Sequence, residues 1–290
     1  MATPLSADKL LKALRNEGLH VVEHRSWRTH NRNHKGPWGP VHGVMIHHTV
    51  TSGTQSSVDL CYDGHSSLPG PLCHGVIAKD GSVHLVGHGR ANHAGLGDDD
   101  VLRAVINETA LPADNEANTD GNRSFYGFEC VNLGDGKDPW PAAQLEAIEK
   151  AAAAICRAHG WNYRSVIGHK EWQPGKIDPR GFTMESMRSR IKARLGGQPD
   201  GPSNPPPPTY EPFPGAAYFR AGRHSAVITA MGKRLVAEGC GRYAVGPGPD
   251  WSEADRTSYA AWQRKLGHSG SGADGIPGKA SWDKLKVPNV

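Results

Sequence analysis

Four consecutive prolines, Pro205 to Pro208, constrain this chain more than any other feature. Proline fixes its own φ and has no N–H to donate, so such a run joins neither a helix nor a sheet. Together with its neighbours, residues 197–214 read GQPDGPSNPPPPTYEPFP, which predicts a stiff, extended polyproline spacer. A chain of 290 residues is thereby expected to form two compact domains, residues 1–196 and 215–290, held apart by a linker over 197–214.

The bulk properties exclude several classes. Nowhere does the sequence approach the ~18–20 continuous apolar residues of a membrane span, so no membrane insertion is expected. The start, MATPLSADKLLKALRNEG, has charges where a secretory signal needs an apolar core. The net charge is only +4, with no dense basic cluster interleaved with aromatics, so nucleic acid is not an expected partner. Weak attraction to an anionic polymer remains compatible with it. Five cysteines do not make a disulfide framework. Cys61 and Cys73 can pair in an oxidising compartment; the plainer expectation is buried free thiols. Without a CxxC, a cysteine-only zinc site is not expected.

The first domain alternates strand and helix signals. Residues 5–17 read as a helix capped by Ser6 and stopped by Gly18, with Leu10, Leu11 and Leu14 as its apolar stripe. VHGVMIHHTV (41–50) reads as a buried strand, and residues 74–87 as a hairpin turning at Asp80-Gly81. Residues 90–123 carry few apolar side chains and read as long loops. FYGFECVNL (125–133) is a further strand, 141–159 a helix between Pro141 and Gly160, SVIGH (165–169) a short strand, and Thr183 caps a last helix ending at Gly196. In the tail, Ser225 starts one helical pattern, Ser252 and Asp255 form a capping box for a second, and Ala280, Trp282 and Leu285 lie in a third. The expected fold is α/β, a mixed central sheet flanked by helices, with a small all-α three-helix domain at the C-terminus.

Sixteen histidines are many for this length. His47 ends the first long strand, His169 ends the late one, and Asp178 follows nine residues later. Two imidazoles and a carboxylate suit a hydrolytic zinc site whose fourth position is left to water. The competing reading is three unrelated residues, since no short motif links them. His47 and His48 are strand neighbours pointing to opposite faces, and spacing does not choose between them. Glu129 stands mid-strand between Phe128 and Cys130. A carboxylate there is costly unless it is paired, functional, or on an edge strand facing water. Lys176, two residues before Asp178, is placed to hold an oxyanion or is simply a solvated loop lysine.

These segments together resemble the type 2 N-acetylmuramoyl-L-alanine amidases, which share a fold with the peptidoglycan recognition proteins. The matching pieces are Ile46-His47-His48-Thr49, His74-Gly75-Val76-Ile77 with Lys79-Asp80-Gly81-Ser82-Val83, and His93-Ala94-Gly95. Phe128-Glu129 with Val131-Asn132, and Gly168-His169 through Lys176-Ile177-Asp178-Pro179, complete the set, in family order over about residues 35–195. The resemblance implies that His47 rather than His48 is a zinc ligand, joined by His169 and Asp178. It implies that Glu129 is the catalytic acid/base and Lys176 the oxyanion group, and that His74 and His93 line the substrate groove. Where the family has an aromatic residue before His-Ala-Gly, this chain has Asn92. The tail, through Tyr259-Ala260-Ala261-Trp262-Gln263 and Ala273-Asp274-Gly275-Ile276-Pro277-Gly278, resembles the peptidoglycan-binding modules of lysins. There, Trp262 and Trp282 read as core residues.

The resemblance implies Zn²⁺-dependent hydrolysis of the bond between N-acetylmuramic acid and L-alanine, with peptidoglycan as the partner. A phage endolysin fits the sequence: a monomer made in the host cytoplasm and reaching the wall through a holin-type lesion. Two rivals are a zinc peptidase cutting within the stem peptide and a non-catalytic peptidoglycan binder.

Overall fold

A computed structural model describes residues 2–202 and 210–288. The tetraproline run, and with it the expected polyproline conformation, lies outside the described residues. The chain divides into two compact units, Met1–Pro205 and Pro206–Val290.

The larger unit is built on a six-stranded sheet. Its strands are β1 (Val21–Glu23), β2 (Gly43–His48), β3 (Gly75–Ile77), β4 (Val83–Leu85), β5 (Phe125–Cys130) and β6 (Val166–Gly168). Their order is β1-β4-β3-β5-β2-β6. Only the β3–β4 hairpin is antiparallel; every other pairing is parallel. At the hairpin tip Gly81 alone takes a positive φ, of 86°. Asp80 instead accepts hydrogen bonds from the Ser82 N–H and hydroxyl through its carboxylate, so the loop is not the two-residue turn that Asp-Gly suggests.

Period-two alternation sorts the strand residues between two faces. Val44, Ile46, Tyr126, Phe128 and Cys130 join one core with α1 (Ala7–Asn16), α4 (Ala142–His159) and α5 (Met184–Leu195). Met45, Phe125 and Ile167 face the other way, packing with Trp172 and with Val101 and Val105 of α3 (Asp99–Ile106). The second face also carries α2 (Thr54–Asp63), whose Val58 and Cys61 pack with Val76. Helix α4 follows its sequence signals closely: Pro141 precedes it and Gly160 closes it at φ 71° in the left-handed region. Helix α3 was not expected. The stretch read as loop contains it because Asp98 caps it, accepting from Asp100 N at 2.8 Å and Val101 N at 3.3 Å, and because a narrow stripe of Val101, Ala104 and Val105 suffices to bury one face.

The smaller unit holds α6 (Ala226–Ala237), α7 (Glu253–Lys265) and α8 (Lys279–Leu285). Ser225 caps the first, and Ser252 with Asp255 forms a capping box on the second. Trp262 and Trp282 are buried core residues, their indole N–H groups donating to Ser281 O and Glu211 O. All five cysteines are buried free thiols. Among the described residues no helix is long and apolar enough to cross a membrane.

Candidate active site

Three parallel neighbours, β5, β2 and β6, end together on the face carrying α2 and α3, and their last residues form the site. Val166, Ile167 and Gly168 pair with Val44, Met45 and Ile46. The next step along each strand therefore brings His169 beside His47 on the Met45–Ile167 face. On the other flank, His47 is in register with Glu129. Alternation puts His48 on the opposite face, where its Nδ1 accepts from Arg180 N at 3.2 Å. Backbone periodicity thus makes the choice that spacing left open: only His47 faces His169 and Asp178.

Asp178 arrives on a loop that Lys170 ties down. The Lys170 N–H donates to Asp178 O at 2.7 Å, and its ammonium to Pro179 O and Phe182 O at 2.8 and 3.2 Å. The result is a tight triangle. His47 Nδ1 lies 3.1 Å from His169 Nδ1 and 3.0 Å from Asp178 Oδ2, and His169 Nδ1 lies 3.1 Å from the same oxygen. Two imidazole nitrogens and a carboxylate oxygen this close together can share one cation. Tetrahedral ligands about 2.0–2.1 Å from a zinc ion stand roughly 3.3 Å apart, so the donor set and its spacing fit Zn²⁺. No other group of three candidate ligands this close occurs among the described residues.

The electrostatics agree with a cation-accepting pocket. Burial lowers the His47 pKa to about 4, against the pull of Asp178, so the imidazole is neutral and its lone pair available. Burial alone would raise Asp178, but the His169 and His47 imidazoles set against it outweigh burial and hold the carboxylate well below its usual range. Glu129 behaves oppositely. Desolvation first, and then the Asp178 charge, push its pKa up to about 8, against Lys176. Its Oε2 is buried without a hydrogen-bond partner. Because β5 lies between β3 and β2, an edge position does not explain this carboxylate. Lys176 is exposed, and its charge lowers the pKa of both His47 and Glu129.

The two other expected groove residues sit deeper than a ligand contact requires. His74 is fully buried. Its Nδ1 accepts from Gly127 N and its Nε2 donates to Gly89 O, both at 2.9 Å, and Trp38 stacks on the ring with centroids 4.8 Å apart. As placed, it bolts β5 to the loop after β4 and has no nitrogen left for substrate. His93 is also buried, behind His47, with its Nδ1 3.1 Å from His47 Nε2. Sequence reasoning missed Gln173, whose Oε1 is 3.3 Å from His169 Nε2. Its signal was its position four residues after His169, one turn further on. Also missed was Asn122, whose Oδ1 accepts from the N–H groups of both His93 and Ala94 at 2.8 Å.

A family model described as N-acetylmuramoyl-L-alanine amidase matches residues 37–181, half of the chain and every residue of this site. The chain belongs to that family. No curated protein sequence matches the amidase. Solved structures similar to it include the N-acetylmuramoyl-L-alanine amidase LysC from Clostridium intestinale, at 15% identity over 59% of this chain and 96% of that one, with a TM-score of 0.40. The amidase AmiD from E. coli, solved with anhydro-N-acetylmuramic acid-L-Ala-D-gamma-Glu-L-Lys, shares 17% identity over 89% of this chain and 91% of its own, with a TM-score of 0.39. The Ph2119 endolysin from a Thermus scotoductus bacteriophage shares 14% over 59% and 98%, also with a TM-score of 0.39.

Proposed function

We propose that this amidase is a zinc-dependent lysin that separates peptidoglycan stem peptides from glycan by cutting between N-acetylmuramic acid and L-alanine. The observation that carries this reading is the 3.0–3.1 Å triangle of His47, His169 and Asp178 beside the unpartnered Glu129 carboxylate. His47 Nδ1, His169 Nδ1 and Asp178 Oδ2 would hold Zn²⁺, which supplies Lewis acidity, polarising the scissile carbonyl and making water a competent nucleophile near neutral pH. Glu129 takes the proton of the attacking water and returns it to the departing alanine nitrogen. A carboxyl poised near neutral pH suits both transfers. Lys176, exposed and free to swing, places positive charge at the developing oxyanion. The C-terminal unit holds the enzyme at the wall and raises its effective concentration there.

Digestion of purified peptidoglycan by the wild type and by Glu129→Gln, with and without a zinc chelator, tests the proposal through newly exposed N-terminal L-alanine. The wild type releases alanine only when zinc is present. Glu129→Gln falls about 10²–10⁴-fold in rate with a Tm close to the wild type, because the amide has the shape of the carboxyl that burial keeps largely protonated near neutral pH. Release of a different amine overturns the bond assignment. Wall binding without any amine release overturns catalysis.

A further inference from the structure

The side of the two histidines turned away from the triangle is as ordered as the side turned toward it. Each presents Nδ1 to Asp178, and each has its Nε2 against a polar partner. His47 Nε2 is 3.1 Å from His93 Nδ1, and His169 Nε2 is 3.3 Å from Gln173 Oε1. Gln173 Oε1 can only accept. A neutral His169 that gives its Nδ1 lone pair to a metal carries its one ring proton on Nε2, where Gln173 Oε1 accepts it. The same logic applies to His47 when His93 Nδ1 accepts.

Three observations make the His93 contact a built one. The His93 and Ala94 N–H groups both donate to Asn122 Oδ1, fixing the backbone from which the ring projects. The ring lies flat over Gly127, where a Cβ would come within 2.5 Å of Nδ1, so this strand position has room for the imidazole only because it has no side chain. Finally, His93 Nε2 is buried with no partner of its own. With no partner on Nε2, the contact with His47 is the hydrogen bond that fixes the His93 ring.

We propose that His93 and Gln173 are positioning residues: they accept the Nε2 protons of His47 and His169 and thereby hold both rings in the tautomer whose Nδ1 lone pair binds the metal. This rests on the zinc reading above, and it moves His93 from the groove wall to the back of the metal site. Outer partners of this kind typically contribute 10–100-fold to metal affinity.

The test is zinc affinity of the full chain, measured by competition with a chromogenic chelator. Four variants separate shape from hydrogen bonding: His93→Leu and Gln173→Leu fill space without accepting, while His93→Gln and Gln173→Glu keep an acceptor. The expected result is a loss of about 10–100-fold for each leucine variant and near-wild-type affinity for each acceptor variant. Leucine variants that bind zinc as tightly as the wild type overturn the proposal, as do acceptor variants that lose as much as leucine. Imidazole ¹⁵N shifts of the zinc-loaded wild type give an answer independent of any variant's folding. Protonated Nε2 on both His47 and His169 supports the assignment, and protonated Nδ1 on either overturns it. A wild type that takes up no zinc overturns the metal reading itself, an outcome distinct from all of these.

Discussion

His74 should make the larger unit acid-labile, and the size of the effect follows from its surroundings. Burial lowers its pKa from 6.5 to about 3, whereas in the unfolded chain it returns to about 6.5. Between those values the unfolded state binds the proton and the folded state does not, so stability rises with pH through the window and levels off above it. At pH 5 the linkage costs about 2 kcal/mol relative to pH 7, growing to about 4 kcal/mol near pH 3. The perturbation is His74→Gln, which removes the titrating group. The assay is urea unfolding of wild type and variant, both held free of metal by chelator, at several pH values from 7 to 5. Although the variant is expected to be less stable at pH 7, having lost bonds to Gly127 and Gly89, its stability should fall about 2 kcal/mol less than that of the wild type on going to pH 5. Equal falls for the two proteins would refute the reasoning, because they would mean His74 takes up its proton in the folded state as readily as in the unfolded one.

Two further substitutions probe the scaffold by thermal unfolding. Val50, just past β2, is a β-branched residue at φ 54° with 67% of its surface exposed; Val50→Asn, which tolerates that region, should stabilise by about 0.5–1 kcal/mol and raise Tm. Gly97→Ala would put a Cβ 2.2 Å from the buried Trp172 indole, and it should cost about 1–3 kcal/mol, with unchanged stability contradicting the packing described.

Different parts of this chain were legible to different degrees. Helix α4 could be read because Pro141, a helical spacing of Leu145, Ile148, Ala152 and Ile155, and Gly160 all agree. Helix α3 could not, since three aspartates open it and its buried stripe is narrow. The triangle of His47, His169 and Asp178 has no local signature; 122 residues separate its two histidines, and only the parallel register of β2 with β6 makes them neighbours. There the resemblance supplied what spacing lacked. For His74 it misled: the motif identified a residue that matters, but pairing of both ring nitrogens with backbone makes that importance architectural. The roles of His93 and Gln173 were out of reach, because a tautomer-setting contact depends on which ring nitrogen faces which neighbour.

The ladder of β5, β2 and β6 has a consequence for how such a protein can be altered. A single residue inserted or deleted within any of these strands would turn its site residue to the wrong face, trading His47 for His48 or Glu129 for Phe128 or Cys130. The exposed stretches beyond the strand ends, residues 65–69 and 109–117, are under no such parity. Their lengths can change by one residue as readily as by two while the paired ends stay in step. The amidase therefore separates a part whose spelling is fixed to the letter from a part open to rewriting, and a designer seeking a new wall specificity would graft into the second.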